Sequence, residues 1–293
     1  MKDSIIKILK KFKIFKFVRN VYNIFFKKSY IYQKFQRLFT GIKLRFLLAK
    51  IEKKIFKLFY ISSKTFFLNK INKNDELYIQ LEKYGNTEPF QIRSLEENKE
   101  IIIKYFKNQK IFNDKNPNSK FLVDERDPNL EVGYFDYQIT ARCPHIFEIV
   151  NDERLITTLS TYFDGPYKLD YISTWWSFKN LAMNPKEKTQ YFHRDLDNFN
   201  FVKLFIYLTD VDEENGAHEY IRFSHKNKIE NEISTKAVSL DKLSSSIQKG
   251  NLYKFIGKSG SATLENTFGL HRGSTPKTKD RLMIAMAFSL VKT

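Results

Sequence analysis

Cysteine is almost absent from this chain of 293 residues, where Cys143 stands alone. One thiol can close no intrachain disulfide and build no multi-cysteine zinc site, which fits a reducing compartment. Its surroundings, Arg142-Cys143-Pro144-His145, read as a place for a small buried thiol rather than a reactive or ligating one. Long uncharged apolar runs are missing too. Charge interrupts every hydrophobic stretch well short of the roughly 18 residues a spanning helix needs, so no transmembrane segment is expected. No uncharged core leads to a small-residue cleavage site, so no secretory signal is expected either. Internal repeats are lacking.

Negative charge is scarcest at the amino-terminal end. Residues 1–70 hold 19 Lys and Arg against only Asp3 and Glu52, a balance of +17, whereas the other 223 residues hold 31 basic and 31 acidic side chains. All the excess positive charge therefore belongs to one segment. Within it Ile5, Ile8, Phe12, Phe15, Val18, Tyr22 and Phe25 recur at three- and four-residue spacing with lysines between them, which predicts basic amphipathic helices. Such helices suit the headgroup region of an anionic bilayer. They equally suit packing on the body of the protein or on a second copy. Nucleic acid is the weaker alternative, because no recognised module accompanies the charge. The expected division is a basic helical extension over 1–70 and a separate domain over 71–293.

What the chain does have is apolar and aromatic surface. Hydrophobic residues make up 42%, with 28 Phe and 16 Tyr, enough for a full core and against wholesale disorder. Residues 75–84 read as a short helix stopped by Gly85, and Ser94-Leu95-Glu96-Glu97 as a capping box opening a helix to about Asn108. The polar stretch 110–130, with its Asn-Pro and Asp-Pro steps, reads as a loop. Residues 144–150 and 152–163 read as two helical pieces stopped by Gly165-Pro166. Then the period changes. Short β-rich runs follow at 171–177, around His193, and at 202–208, 219–223, 251–256, 261–265 and 281–291. Helices followed by many short strands predict an α+β chain with an antiparallel β-sandwich or open barrel buttressed by helices.

The stretch with most chemical content is Gln190-Tyr191-Phe192-His193-Arg194-Asp195-Leu196-Asp197. On an extended strand His193 and Asp195 project from one face and Arg194 from the other. An imidazole and a carboxylate so placed can share a metal ion, and a distant His271 would complete a two-His-one-carboxylate set with open coordination positions. Arg281 opens the last strand ten residues after His271, sharing a face with Met283, Ala285 and Ala287. Its guanidinium is shaped to hold a carboxylate by two parallel hydrogen bonds. His218 and His225 read as hydrogen-bonded structural histidines.

From about Tyr171 to Leu290 the chain resembles the phytanoyl-CoA dioxygenase family of Fe(II)/2-oxoglutarate-dependent oxygenases. The metal motif matches His193, Asp195 and His271, and the co-substrate arginine matches Arg281. The segment Tyr207-Leu208-Thr209-Asp210-Val211-Asp212-Glu213-Glu214-Asn215-Gly216 is similar to the family's strand-then-turn, and Ser224-His225-Lys226 to its Gly-Ser-His element. Phe223 stands where the family usually has glycine, and Met283 where many relatives carry a hydroxyl. The resemblance implies a double-stranded β-helix, a jelly-roll or cupin-like core, with the basic extension in front of it. It implies Fe(II) on His193, Asp195 and His271, with 2-oxoglutarate and O2 as co-substrates and Arg281 on the far carboxylate of the keto acid. The expected outcome is hydroxylation of an unactivated C–H bond with release of succinate and CO2. A retained Asp195 argues for hydroxylation, since relatives that halogenate lack this carboxylate.

Lys203 either bonds 2-oxoglutarate or is a solvated edge lysine. Trp175, Trp176, Gln190 and Tyr191 either face substrate or belong to the core. A cytoplasmic protein acting on a small molecule is expected, and if the basic end holds it at the inner face of an anionic membrane, a lipid-linked or glycan-precursor substrate follows. Two other classes stay open: a non-catalytic metal- or ligand-binding β-sandwich, and a membrane-surface adaptor acting through its basic helices.

Overall fold

The computed structural model describes residues 42–60, 70–179, 191–227, 238, 243 and 250–290. Most of the basic segment, and Gln190, lie outside the described residues. The first described element is helix α1 (Ile42–Tyr60). Helix α2 (Glu76–Tyr84) starts where the Asp75 carboxylate accepts from the Tyr78 amide at 2.8 Å. It ends at Gly85, whose φ of 88° is left-handed and whose absent Cβ would strike the Tyr220 hydroxyl. Helix α3 (Arg93–Lys107) begins one residue before the predicted capping box. Ile92 takes the cap position with no side-chain bond, and the Ser94 hydroxyl has no partner. Burial of Leu95, Ile102 and Phe106 fixes this helix instead of a cap. Short helix α4 (Tyr137–Ala141) precedes α5 (Glu153–Phe163), where Asp152 caps the amide of Leu155. The helix expected over 144–150 is absent: His145 takes a left-handed φ of 63°, which breaks the helical run after Pro144.

The strands run in chain order β1 (Phe90–Gln91), β2 (Ile111–Asn113), β3 (Asn116–Phe121), β4 (Val132–Phe135) and β5 (Tyr167–Ser177). They continue as β6 (Phe201–Tyr207), β7 (His218–Ile221), β8 (Leu252–Phe255), β9 (Ser261–Glu265), β10 (His271–Gly273) and β11 (Arg281–Leu290). A large antiparallel sheet has the order β1-β9-β6-β11-β5-β4-β2-β3, and a small one the order β10-β7-β8. The β2–β3 hairpin replaces the loop expected over 110–130. Its outer strand is almost wholly exposed, so edge pairing holds it without the apolar alternation that would have announced it.

Alternation along the two central strands sorts the interior. On β6, Leu204 and Ile206 face the core shared with the helices, together with Leu282, Ile284, Met286 and Phe288 of β11. The opposite faces, with Phe205, Tyr207, Met283 and Ala285, meet Phe255 and Ala217 between the sheets, and the Tyr207 and Phe255 rings stack at 4.1 Å. The result is a jelly roll in which the small sheet faces the large one and the space between them opens on one cavity.

Candidate active site

His193 and His271 lie 78 positions apart in the chain, yet two backbone hydrogen bonds join them. The His193 amide donates to the His271 carbonyl at 3.0 Å, and the His271 amide to the His193 carbonyl at 3.1 Å. The predicted strand around His193 is thus reduced to two isolated bridges, Phe192 with Val238 and His193 with His271. The extended alternation still holds over the triplet. Arg194 points away from the two ligand residues, where its buried guanidinium donates to the Ser224 carbonyl at 2.8 Å and to the Phe268 carbonyl. Ser224 Oγ accepts from the Leu270 amide at 2.7 Å, which fixes the residue before His271. The Ser224-His225 element is therefore part of the scaffold of the site. Phe223 before it has φ 68°, which explains in backbone terms why a glycine suits that position.

One donor atom each from His193, Asp195 and His271 lies within 4.8 Å of the others. His193 Nε2 is 3.6 Å from Asp195 Oδ1, and His271 Nε2 is 3.3 Å from Asp195 Oδ2. Each imidazole also contacts a carbonyl two residues earlier, His193 Nδ1 with Tyr191 O and His271 Nδ1 with Gly269 O, both at 2.9 Å. A carbonyl can only accept, so each Nδ1 carries a hydrogen and each ring turns its Nε2 towards Asp195. Burial works against the charge on His271, but Asp195 outweighs it and holds that imidazole above its usual value. Burial, then the neighbouring His271, pushes His193 down to about 4, so that ring is neutral at pH 7. Burial opposes ionisation of Asp195, but Lys203 and the two imidazoles hold its carboxyl well below the usual range.

Lys203 lines the cavity, and its ammonium is engaged: Nζ lies 2.6 Å from Asp195 Oδ2 and 2.9 Å from Asp197 Oδ2. It steadies one oxygen of the metal-motif carboxylate and leaves Oδ1 for another partner. Arg281 is buried in the wall of the same cavity, 3% exposed. Its Nη2 donates to Ser177 Oγ at 3.0 Å, while among the described residues Nε and Nη1 are buried without a partner and no carboxylate pairs with the guanidinium. Burial pushes its guanidinium below its usual value. A buried cation with two unused donors fits an anion brought from outside the chain. Ser177, on the neighbouring strand and in register with Arg281, places a hydroxyl beside the guanidinium. Sequence reasoning passed over it because only the strand pairing brings it there.

The cavity has a volume of about 210 Å³, and Tyr134, Tyr171, Trp175 and Phe205 form its aromatic wall. Trp176, one residue on, faces the other side of β5 and stacks with Phe178 in the helix-side core, so the expectation of a substrate contact is corrected for that residue. Tyr191 serves the site through its carbonyl and does not line the cavity. His225 bonds the Glu82 carbonyl at 3.3 Å, as a structural histidine. His218 is hydrogen-bonded too, but it faces the cavity.

Fold and site together define a class: a jelly roll that gathers two histidines and an aspartate in the wall of a cavity where, among the described residues, the buried Arg281 meets no carboxylate. No family model and no curated protein matches the chain. Among solved structures it is similar to HygX from Streptomyces hygroscopicus with nickel and 2-oxoglutarate bound. The identity is 17%, the match covers 75% of this chain and 88% of that one, and the TM-score is 0.52. It is also similar to the epimerase SnoN in complex with Fe3+, alpha-ketoglutarate and nogalamycin RO, at 10% identity over 74% and 83% of the chains with a TM-score of 0.49. The HygX likeness shows a shared fold.

Proposed function

We propose that this chain is an Fe(II)- and 2-oxoglutarate-dependent oxygenase of the phytanoyl-CoA dioxygenase type, hydroxylating an unactivated C–H bond of a small molecule. One observation carries the reading. Two imidazoles whose Nε2 atoms face a shared carboxylate converge on the cavity in which the buried Arg281 has, among the described residues, two donor atoms without partners. His193, Asp195 and His271 would hold Fe(II), whose preference for neutral imidazole and carboxylate they meet. Arg281 would pair with the far carboxylate of 2-oxoglutarate, and Lys203 would keep Asp195 ionised and oriented. When bound, the metal and keto acid supply O2 activation coupled to oxidative decarboxylation, with succinate and CO2 released. The aromatic wall excludes water and offers Tyr134, Tyr171 and Trp175 as surfaces for the substrate.

The proposal includes a peripheral position at an anionic membrane surface, supported by the way α1 is set on the body. Its polar side turns inward. Arg45 donates to the Asn198 carbonyl, the Asn200 amide reaches the Ala49 carbonyl at 3.0 Å and Glu52 at 2.6 Å, and Lys53 reaches the Tyr162 carbonyl at 2.5 Å. Leu44, Leu47 and Ile51 are left exposed beside Lys50 and Lys54. A lipid-linked or glycan-precursor substrate would reach the cavity from that surface. No helix among the described residues is long and apolar enough to cross a membrane.

The test is aerobic release of succinate from 2-oxoglutarate with Fe(II). The expected result is metal-dependent succinate in the wild type and its loss in His193→Ala and Arg281→Ala. Equal release from all three proteins would refute the assignment.

A further inference from the structure

His218 and Glu265 form a buried pair that the metal and keto-acid residues do not include. His218 Nε2 lies 2.9 Å from Glu265 Oε2, with the histidine 4% exposed and the glutamate not at all. His218 stands on β7 opposite Gly273 of β10, and a Cβ at Gly273 would lie 3.1 Å from Arg281 Nη2. On its other side the His218 ring is 5.7 Å from the ring of His271 and 4.3 Å from that of Phe205. His218 therefore occupies the span of cavity wall between a metal-motif histidine and the arginine.

The hydrogen on this ring follows from its partner. Among the described residues nothing hydrogen-bonds the buried Glu265 Oε1, an arrangement far too costly for an ionised carboxylate. Burial also pushes the Glu265 carboxyl up to about 8. The acid is thus neutral and donates from Oε2 to His218 Nε2, which leaves Nδ1 as the N–H of the neutral imidazole. Moving the proton across the pair would give an imidazolium whose Nδ1 still carries hydrogen. Either way Nδ1 is a donor, and among the described residues the hydrogen bonds of His218 use its backbone amide and Nε2.

We propose that His218, oriented by Glu265, is a positioning residue that donates its Nδ1–H to an oxygen of the bound keto acid between the metal and Arg281. This rests on the oxygenase reading of the same cavity. A buried histidine that faces the cavity with its Nε2 already taken by Glu265 has a role for its remaining N–H when a ligand oxygen accepts from it.

The test is anaerobic titration of 2-oxoglutarate into the Fe(II)-loaded full chain, followed by the visible charge-transfer absorption of the complex. His218→Leu should weaken 2-oxoglutarate about tenfold or more, the loss expected for one hydrogen bond to a charged acceptor. Its Fe(II) affinity should stay unchanged. His218→Asn, whose amide nitrogen stands close to the place of Nδ1, should recover most of the affinity, and His218→Gln, which mimics Nε2, should not. Wild-type affinity in His218→Leu, or equal loss in the Asn and Gln variants, would overturn the assignment. A wild type that binds Fe(II) but no 2-oxoglutarate would instead overturn the oxygenase reading itself.

Discussion

Phe223 shows how a single residue can be placed against its own preference. A phenylalanine with φ 68° bears the left-handed cost of about 1–2 kcal/mol, and its edge contact with Tyr84, ring centres 5.4 Å apart, offsets part of it. The amide of Phe223 donates to the Tyr84 carbonyl at 2.8 Å, so the backbone there is fixed from outside the turn. Removing the ring and removing the strain can therefore be separated. Phe223→Ala should lose the ring contact and keep the strain, whereas Phe223→Gly loses both. Thermal or urea unfolding should find the Gly variant more stable than the Ala variant by about 1 kcal/mol. The opposite order would mean that the turn is not held left-handed in solution. The same residue scale explains Lys203. Its ammonium is held well above its usual value: burial works against the charge, and Asp195 and then Asp197 outweigh it. A residue that reads either as a co-substrate ligand or as a solvated edge lysine is, in the structure, a buried partner of two aspartates.

Among elements, α1 turns polar residues inward over its described side chains, residues 44–54. A surface helix normally buries its apolar stripe, but here Arg45, Glu52 and Asn200 join at the inner face, and Leu47 is 52% exposed. The inner contacts reach Asn198 and Asn200, which follow Asp195 in the same loop. Lysines beside the outer leucines match an anionic lipid surface and would repel a second copy set face to face. Leu47→Glu with Ile51→Glu should lower co-sedimentation with vesicles containing anionic lipid by at least about tenfold, since two apolar side chains are kept out of the interface. Unaltered binding, or a change in oligomeric state instead, would refute the membrane-facing role of α1. Much of the rest was legible element by element. The α2 helix with its Asp75 and Gly85 stops, and the two faces of β11, follow from local chemistry and a period of two. The β2–β3 hairpin was not legible, because an exposed edge strand needs no apolar pattern. The capping box expected at Ser94–Glu97 does not form, because α3 already begins at Arg93 and burial of the helix face decides where that helix starts.

At the scale of the molecule, the site exists because sheet pairing gathers what the chain keeps apart. His193, Asp195, His271 and Arg281 could be picked out by type and spacing, since each bears chemistry unusual for a strand. Ser177 and the Glu265 that orients His218 could not, for their roles arise only from register: Ser177 opposite Arg281, and Glu265 across the interior from His218. The uneven charge belongs to this scale as well. Residues 71–293, which carry the site, are balanced in charge, and the positive excess lies in residues 1–70. The most direct measurement of the central claim is a crystal structure grown without oxygen from protein loaded with Fe(II) and 2-oxoglutarate. The account predicts one metal bound by His193 Nε2, Asp195 and His271 Nε2, and a keto acid whose far carboxylate meets Nε and Nη1 of Arg281. A metal held elsewhere, or an Arg281 still without an anion, would contradict it.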